Sequence, residues 1–207
     1  MESIRIMIVE DDVGWLKSMT FFLSKEKDFV IAGTAGEKNT AVVVAKACSP
    51  DVILMDINLN GNKCDGIIAA AEIAQFSHAR IIMITSLKEQ EIIIDSFTAG
   101  ATNFIPKEKF IEIPNAIRAS MESEDPIGIL LKEYSRLKKE EQMSTLTASE
   151  REVFKLLGSG YTKPEIEAKL FKTDNTVKTQ VKMILRKLGV KNSRDAVIKV
   201  NSGGILK

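Results

Sequence analysis

Two hydrophobic rhythms divide the chain. Up to about residue 121, short unbroken apolar runs alternate with stretches whose apolar residues recur every three or four positions. The runs are residues 4–9, 29–32, 52–55, 80–85 and 102–105. Each is bounded by turn formers and predicts a strand, the central ones buried on both faces. The intervening stretches predict helices over 13–26, 40–48, 66–75, 89–99 and 114–121. The first carries Trp15, Leu16, Met19, Phe22 and Leu23 at helical spacing, and its tryptophan reads as packing. Gly100 suits a left-handed cap and Pro114 the first turn of the closing helix. Five strands alternating with five helices predict an α/β fold, a doubly wound five-stranded parallel sheet.

Beyond residue 122 the strand rhythm stops. Ser123-Glu124-Asp125-Pro126 breaks the pattern. Ile127, Leu130, Leu131, Tyr134 and Leu137 then predict an amphipathic linker helix, with packing inside one chain favoured over pairing with a second copy. From residue 144 onward only helical spacing remains. Thr147 and Glu150 make a capping box. A second short helix follows Thr162. A brief turn leads into a helix over 175–188, with Val177, Val181, Ile184, Leu185 and Leu188 on its buried side. A last helix spans 193–200. The chain therefore divides into an α/β domain over 1–122, a helical linker over 123–143 and a small all-α four-helix domain over 144–207. Two short helices with a tight turn, the second studded with lysine, predict a helix-turn-helix.

Charge sharpens this division. The net charge of +1 is ordinary, as is the 44% hydrophobic content. Yet residues 1–125 hold 12 basic and 19 acidic side chains, while 144–207 hold 13 and 6. An acidic half joined to a basic half predicts that the basic one meets a polyanion. No apolar run reaches the length a bilayer span needs, and residues 1–3 lack a signal pattern, so the expected location is the cytoplasm, with no membrane partner. Cys48 and Cys64 lack metal-ligand spacing and read as reduced thiols. His78, the single histidine, falls in a predicted loop.

Chemistry gathers where the predicted strands end. The first ends on Glu10-Asp11-Asp12, the third on Asp56, the fourth on Thr85 and the fifth near Lys107. In parallel α/β sheets these carboxyl ends lie along one edge, where ligands bind. Clustered carboxylates repel unless a cation joins them, and oxygen ligands of this kind suit Mg²⁺. A lysine and a hydroxyl beside them suit phosphate oxygens. A strand-end aspartate alone is usually a turn former, but here four strands converge. The set reads as a site that moves a phosphoryl group onto Asp56.

On Glu10-Asp11, Asp56, Thr85 and Lys107, in that order and spacing, residues 2–122 resemble the receiver domain of two-component response regulators. The resemblance implies strand order 2-1-3-4-5 and makes Asp56 the phosphoacceptor. It also implies Mg²⁺ held by Asp11, Asp56 and the Asn58 backbone carbonyl, with Glu10 acting through water. Thr85 and Lys107 would meet the phosphoryl oxygens, and Phe104 would be the switch aromatic. Asp12 adds a third acid to the run. Pro106 precedes the lysine, where the family usually has a proline after it, and the 59–66 loop is slightly long.

Residues 144–201 resemble LuxR-type (NarL/FixJ family) DNA-binding domains. The likeness rests on Leu146-Thr147, Glu150-Arg151-Glu152-Val153, Leu156-Leu157, Gly160-Tyr161-Thr162, Glu165-Ile166, Leu170, Thr176-Val177-Lys178 and Lys187-Leu188-Gly189-Val190. It implies that Lys178, Thr179 and Lys182 face bases while Thr176 and Lys187 hold the phosphate backbone of double-stranded DNA. Ser149 stands where arginine is usual, Gln180 where histidine is common, and Pro164 interrupts the scaffold helix. Together the two resemblances imply a phosphorylation-controlled transcription regulator, not an enzyme, with a cognate sensor histidine kinase and homodimerisation on activation. Two rivals remain open from sequence. An aspartate-nucleophile phosphatase usually carries a general acid two residues after the nucleophile, and Asn58 cannot supply that proton. A DNA-binding protein with a degenerate receiver would lack part of the acid, hydroxyl and lysine set.

Overall fold

The computed structural model describes residues 3–62, 64–86, 90–122 and 126–202. The chain separates into two compact units, residues 1–135 and 136–207. The break expected at Ser123-Glu124-Asp125, the helix start expected at Glu89 and Lys63 of the 59–66 loop lie outside the described residues.

The first unit is a five-stranded parallel sheet, β1 (Ile4–Val9), β2 (Phe29–Ala35), β3 (Val52–Asp56), β4 (Arg80–Thr85) and β5 (Ala101–Pro106), in the order β2-β1-β3-β4-β5. Helices α1 (Val13–Leu23), α2 (Lys38–Cys48), α3 (Asp65–Ile73), α4 (Gln90–Thr98) and α5 (Ile113–Met121) connect and cover it. Strand alternation sorts the core. Ile6, Ile8, Val52, Leu54, Ile82, Ile84 and Ile105 pack with Met19 and Leu23 of α1 and Ile113 and Ile117 of α5. Met7, Ile53, Met55 and Met83 are as fully buried on the opposite face. α3 is buried at every position from Gly66 to Ile73, all of them apolar except Glu72, so it is covered on all sides rather than on one face.

Two elements differ from the sequence reading. β2 runs to Ala35, three residues further than its apolar run, because the parallel ladder with β1 continues through Gly33, Thr34 and Ala35. A 3-10 helix, Lys107–Glu112, fills what read as a loop. Its six residues are too few to show a period.

α6 (Pro126–Gln142) crosses the division between the units. Ser135 Oγ donates to Phe97 O of α4 at 2.7 Å. The stripe expected to pack within the chain does so only in part. Leu130, Tyr134 and Leu137 are exposed, the first by 70%, because a period of three to four marks a face without saying what covers it.

The second unit contains α7 (Ala148–Gly158), α8 (Lys163–Leu170), α9 (Asp174–Leu188) and α10 (Ser193–Asn201). Their core is Leu146, Val153, Phe154, Ile166, Val177, Val181, Ile184, Leu188, Ala196, Val197 and Val200. The expected capping box is formed: Glu150 N donates to Thr147 Oγ1, and Thr147 N to Glu150 Oε2 at 2.8 Å. Pro164 does not interrupt α8. It sits in the first turn, where its missing N–H would have no helical partner, and Thr162 with Glu165 closes a second capping box.

Candidate functional site

β1 and β3 are neighbours whose connections leave in opposite directions, and such a switch point opens a crevice at their carboxyl ends. Glu10 follows β1 and is 1% exposed; Asp56 ends β3 and is buried; Thr85 ends β4 and is buried. Lys107 follows β5, and its Nζ lies 2.6 Å from Glu10 Oε2 and 2.8 Å from Asp56 Oδ2. One carboxylate oxygen each from Glu10, Asp11 and Asp56 lies within 4.8 Å of the others. Asp11 Oδ2 accepts from Asn60 N at 2.9 Å, tying the loop after β3 to the acidic run. Asn58 N donates to Asp56 Oδ1 at 3.2 Å, and the buried Asn58 Oδ1 has no partner among the described residues.

The electrostatics follow from burial. Loss of water is the largest cause pushing the Glu10 carboxyl up to about 7; Lys107 opposes the rise and the Asp56 charge adds to it. Burial alone would lower Lys107, yet its hydrogen bonds to Asp56 and Glu10 outweigh this and raise it. Asp12 stands apart from the cluster. It caps α1, with Oδ1 accepting from Gly14 N at 2.8 Å and Trp15 N at 3.0 Å, and those bonds lower its pKa. Its place just before a helix was the sequence signal for a cap.

Trp15 reads from sequence as packing, and it does pack on the core. Its ring also lies 4.8 Å from Lys107 Nζ, which places it in the site. Sequence gave no sign of this, because the contact joins α1 to the end of β5. Phe104 is half-buried on β5, opposite Met83 in the ladder.

On the second unit, Thr176, Lys178, Thr179 and Lys182 are exposed along α9, as are Asn175 and Arg186. Lys178 Nζ pairs with Asp174 Oδ2 at 2.7 Å. Lys187 turns towards α7 and meets Glu150 Oε2, part of the Thr147 capping box, at 2.6 Å. The unusual residues are coupled: Ser149 Oγ accepts from Gln180 Nε2 at 2.6 Å and Lys172 Nζ at 2.8 Å.

Residues 6–118 match the response regulator receiver domain family, and residues 144–200 match the bacterial regulatory proteins of the LuxR family. The chain belongs to the two-component response regulators with a LuxR-type DNA-binding domain, and it is a transcription regulator rather than an enzyme. The transcriptional regulatory protein LiaR of Bacillus subtilis strain 168 is 33% identical over 203 residues, covering 94% of this chain and 95% of LiaR. The response regulator domain of Thermotoga maritima CheB is 27% identical, with a TM-score of 0.55, over 60% of this chain and all of that one. The Salmonella typhimurium response regulator RcsB shares the fold over 99% of this chain and all of its own, at 22% identity and a TM-score of 0.55. Among the described residues no helix is long and apolar enough to cross a membrane.

Proposed function

We propose that Asp56 accepts a phosphoryl group and that this controls DNA binding by the second unit. The carrying observation is that Asp56 is buried at the switch point between Glu10, Asp11 and the Lys107 ammonium. In the transfer an Asp56 carboxylate oxygen forms the new P–O bond. The donor's P–N bond breaks, and the freed imidazole of a sensor histidine kinase keeps the electron pair. Lys107 pairs with the incoming phosphoryl oxygens, and Thr85, at the end of the adjacent strand, reaches another.

The residues fit Mg²⁺. Three carboxylate oxygens lie close enough to share one ion, the donors are all oxygen, and two carboxylates this close and this poorly hydrated favour a cation between them. Glu10, Asp11, Asp56 and Asn58 would hold it, directly or through water. When bound, it supplies positive charge against the carboxylates and phosphoryl oxygens.

Phosphorylation then shifts a population: Thr85 moves inward, Phe104 repacks, and the altered surface around β4 and β5 favours a homodimer. Two helix-turn-helix units read paired half-sites on double-stranded DNA. Lys178, Thr179 and Lys182 face bases, and Thr176 holds the backbone. Lys187 reaches a phosphate only by sharing or leaving Glu150. The working partition is 1–122, 123–143 and 144–207, and the proposed workplace is the cytoplasm, where the DNA lies.

The test is phosphorylation by a small-molecule donor, read by intact mass with and without Mg²⁺. Asp56→Asn removes the added mass while keeping the fold, since the amide is nearly isosteric but a far weaker nucleophile. An unchanged mass gain in the variant places the acceptor elsewhere.

A further inference from the structure

The turn between α8 and α9 holds a residue with no intramolecular reason to be what it is. Phe171 caps α8 with φ 52 and ψ 42, its N–H donating to Glu167 O. Among the described residues the other non-glycine positions with positive φ are Ser49 and Asn60. Asparagine tolerates that region through its short polar side chain, whereas a phenyl-bearing residue has no such compensation. The ring is also 97% exposed. The residue is therefore disfavoured by its backbone and by its hydration, and no contact among the described residues offsets either. Costs of that kind persist at positions that serve binding.

What covers the ring follows from its neighbours. Two residues on, Thr173 caps α9 and accepts from Thr176 N. The exposed Asn175, Thr176, Lys178 and Thr179 come next. Lys172, beside the ring in sequence, is drawn back to Ser149 and Gln180, which leaves the phenyl as the exposed group at the tip of the turn. Residues 144–207 carry seven more basic than acidic side chains, so a polyanion is the complementary partner of this surface.

We infer that Phe171 is a DNA contact, packing its ring on a deoxyribose face or a thymine methyl beside the groove that α9 enters. This rests on the DNA-reading role proposed for α9. The ring adds an apolar contact to an otherwise polar and cationic face, and such a contact releases no counterions.

The experiment uses the full chain and a duplex selected by the wild-type protein from a random-sequence pool. Phe171→Asn keeps the left-handed cap and removes the ring. Its thermal midpoint stays equal or rises, because backbone strain and an exposed phenyl are both relieved. Its affinity falls about tenfold, the scale of burying part of a phenyl ring, and its slope of log affinity against log salt stays that of wild type. Lys182→Ala, measured alongside, loses affinity and is expected to tell the two readings apart. If Lys182→Ala binds like wild type, the reading role of α9 fails. If it weakens while Phe171→Asn binds like wild type at every salt concentration, the Phe171 contact alone is overturned. A loss in Phe171→Asn that sedimentation traces to weaker self-association assigns the ring to a protein contact instead and overturns the proposal.

Discussion

At the residue scale, two lysines show how the same side chain serves different ends. Lys107 is held between two buried carboxylates and against the single tryptophan. The phosphoryl group proposed on Asp56 would compete for its ammonium. Beryllofluoride, a phosphoryl mimic, added with Mg²⁺ is therefore expected to change Trp15 emission in the wild type and to leave it flat in Lys107→Ala. A flat wild-type trace would count against movement of Lys107. Lys187 instead staples α9 to α7 through Glu150. Burial by itself would raise the Glu150 carboxyl, but Lys187 and the Thr147 cap outweigh it and hold it below the usual range. The folded state thus favours the charged form. This stabilisation is complete above about pH 4.5, the ordinary value, and is lost as pH falls through the lower folded-state value. Thermal midpoints measured across that acid range should lose part of their pH dependence in Glu150→Gln. Lys187→Ala should cost about 1–3 kcal/mol at neutral pH by leaving a buried acceptor short of a donor. A stability unchanged in that variant would free Lys187 for a purely DNA-facing role.

At the element scale, the site depends on how closely α3 approaches β3. Gly66 N donates to Ile57 O at 3.0 Å, and a Cβ built on Gly66 would lie 1.8 Å from Asp56 O and 2.8 Å from the Ile57 Cα. Both atoms are backbone, which cannot swing aside. Gly66→Ala should therefore cost about 3 kcal/mol, the upper end of overpacking costs, and slow phosphorylation by shifting Asp56. Denaturant midpoints near wild type would show that α3 can slide instead. α9 shows the complementary case. Its buried face is a clean stripe of Val177, Val181, Ile184 and Leu188, and that stripe fixes which side faces outward.

At the scale of the whole molecule, the two units carry opposite charge and separate cores. The proposed control of DNA binding by Asp56 is therefore testable at the level of self-association. Sedimentation of the full chain with and without a small-molecule phosphoryl donor should show a shift from monomer towards dimer that Asp56→Asn abolishes. The same mass in both conditions would rule out dimerisation as the switch.

The strand and helix rhythm, the acids at the strand ends and the apolar stripe of α9 were legible in the sequence because each depends on local spacing. Five apolar runs, two ending on acids, one on a hydroxyl and one near a lysine, imply one edge once a parallel sheet is assumed, and the observed order places β1 beside β3. Contacts between elements distant in sequence were not legible. No local pattern links Trp15 to Lys107, Ser149 to Gln180 and Lys172, or Lys187 to the capping box of α7. The acidic run likewise resolved only in three dimensions, where Asp12 turns to the start of α1 and Glu10 with Asp11 turns to Asp56. Side-chain type and spacing set which groups reach the edge of the sheet. Tertiary packing decides which of them share a low-dielectric pocket, and hence which carry charge there.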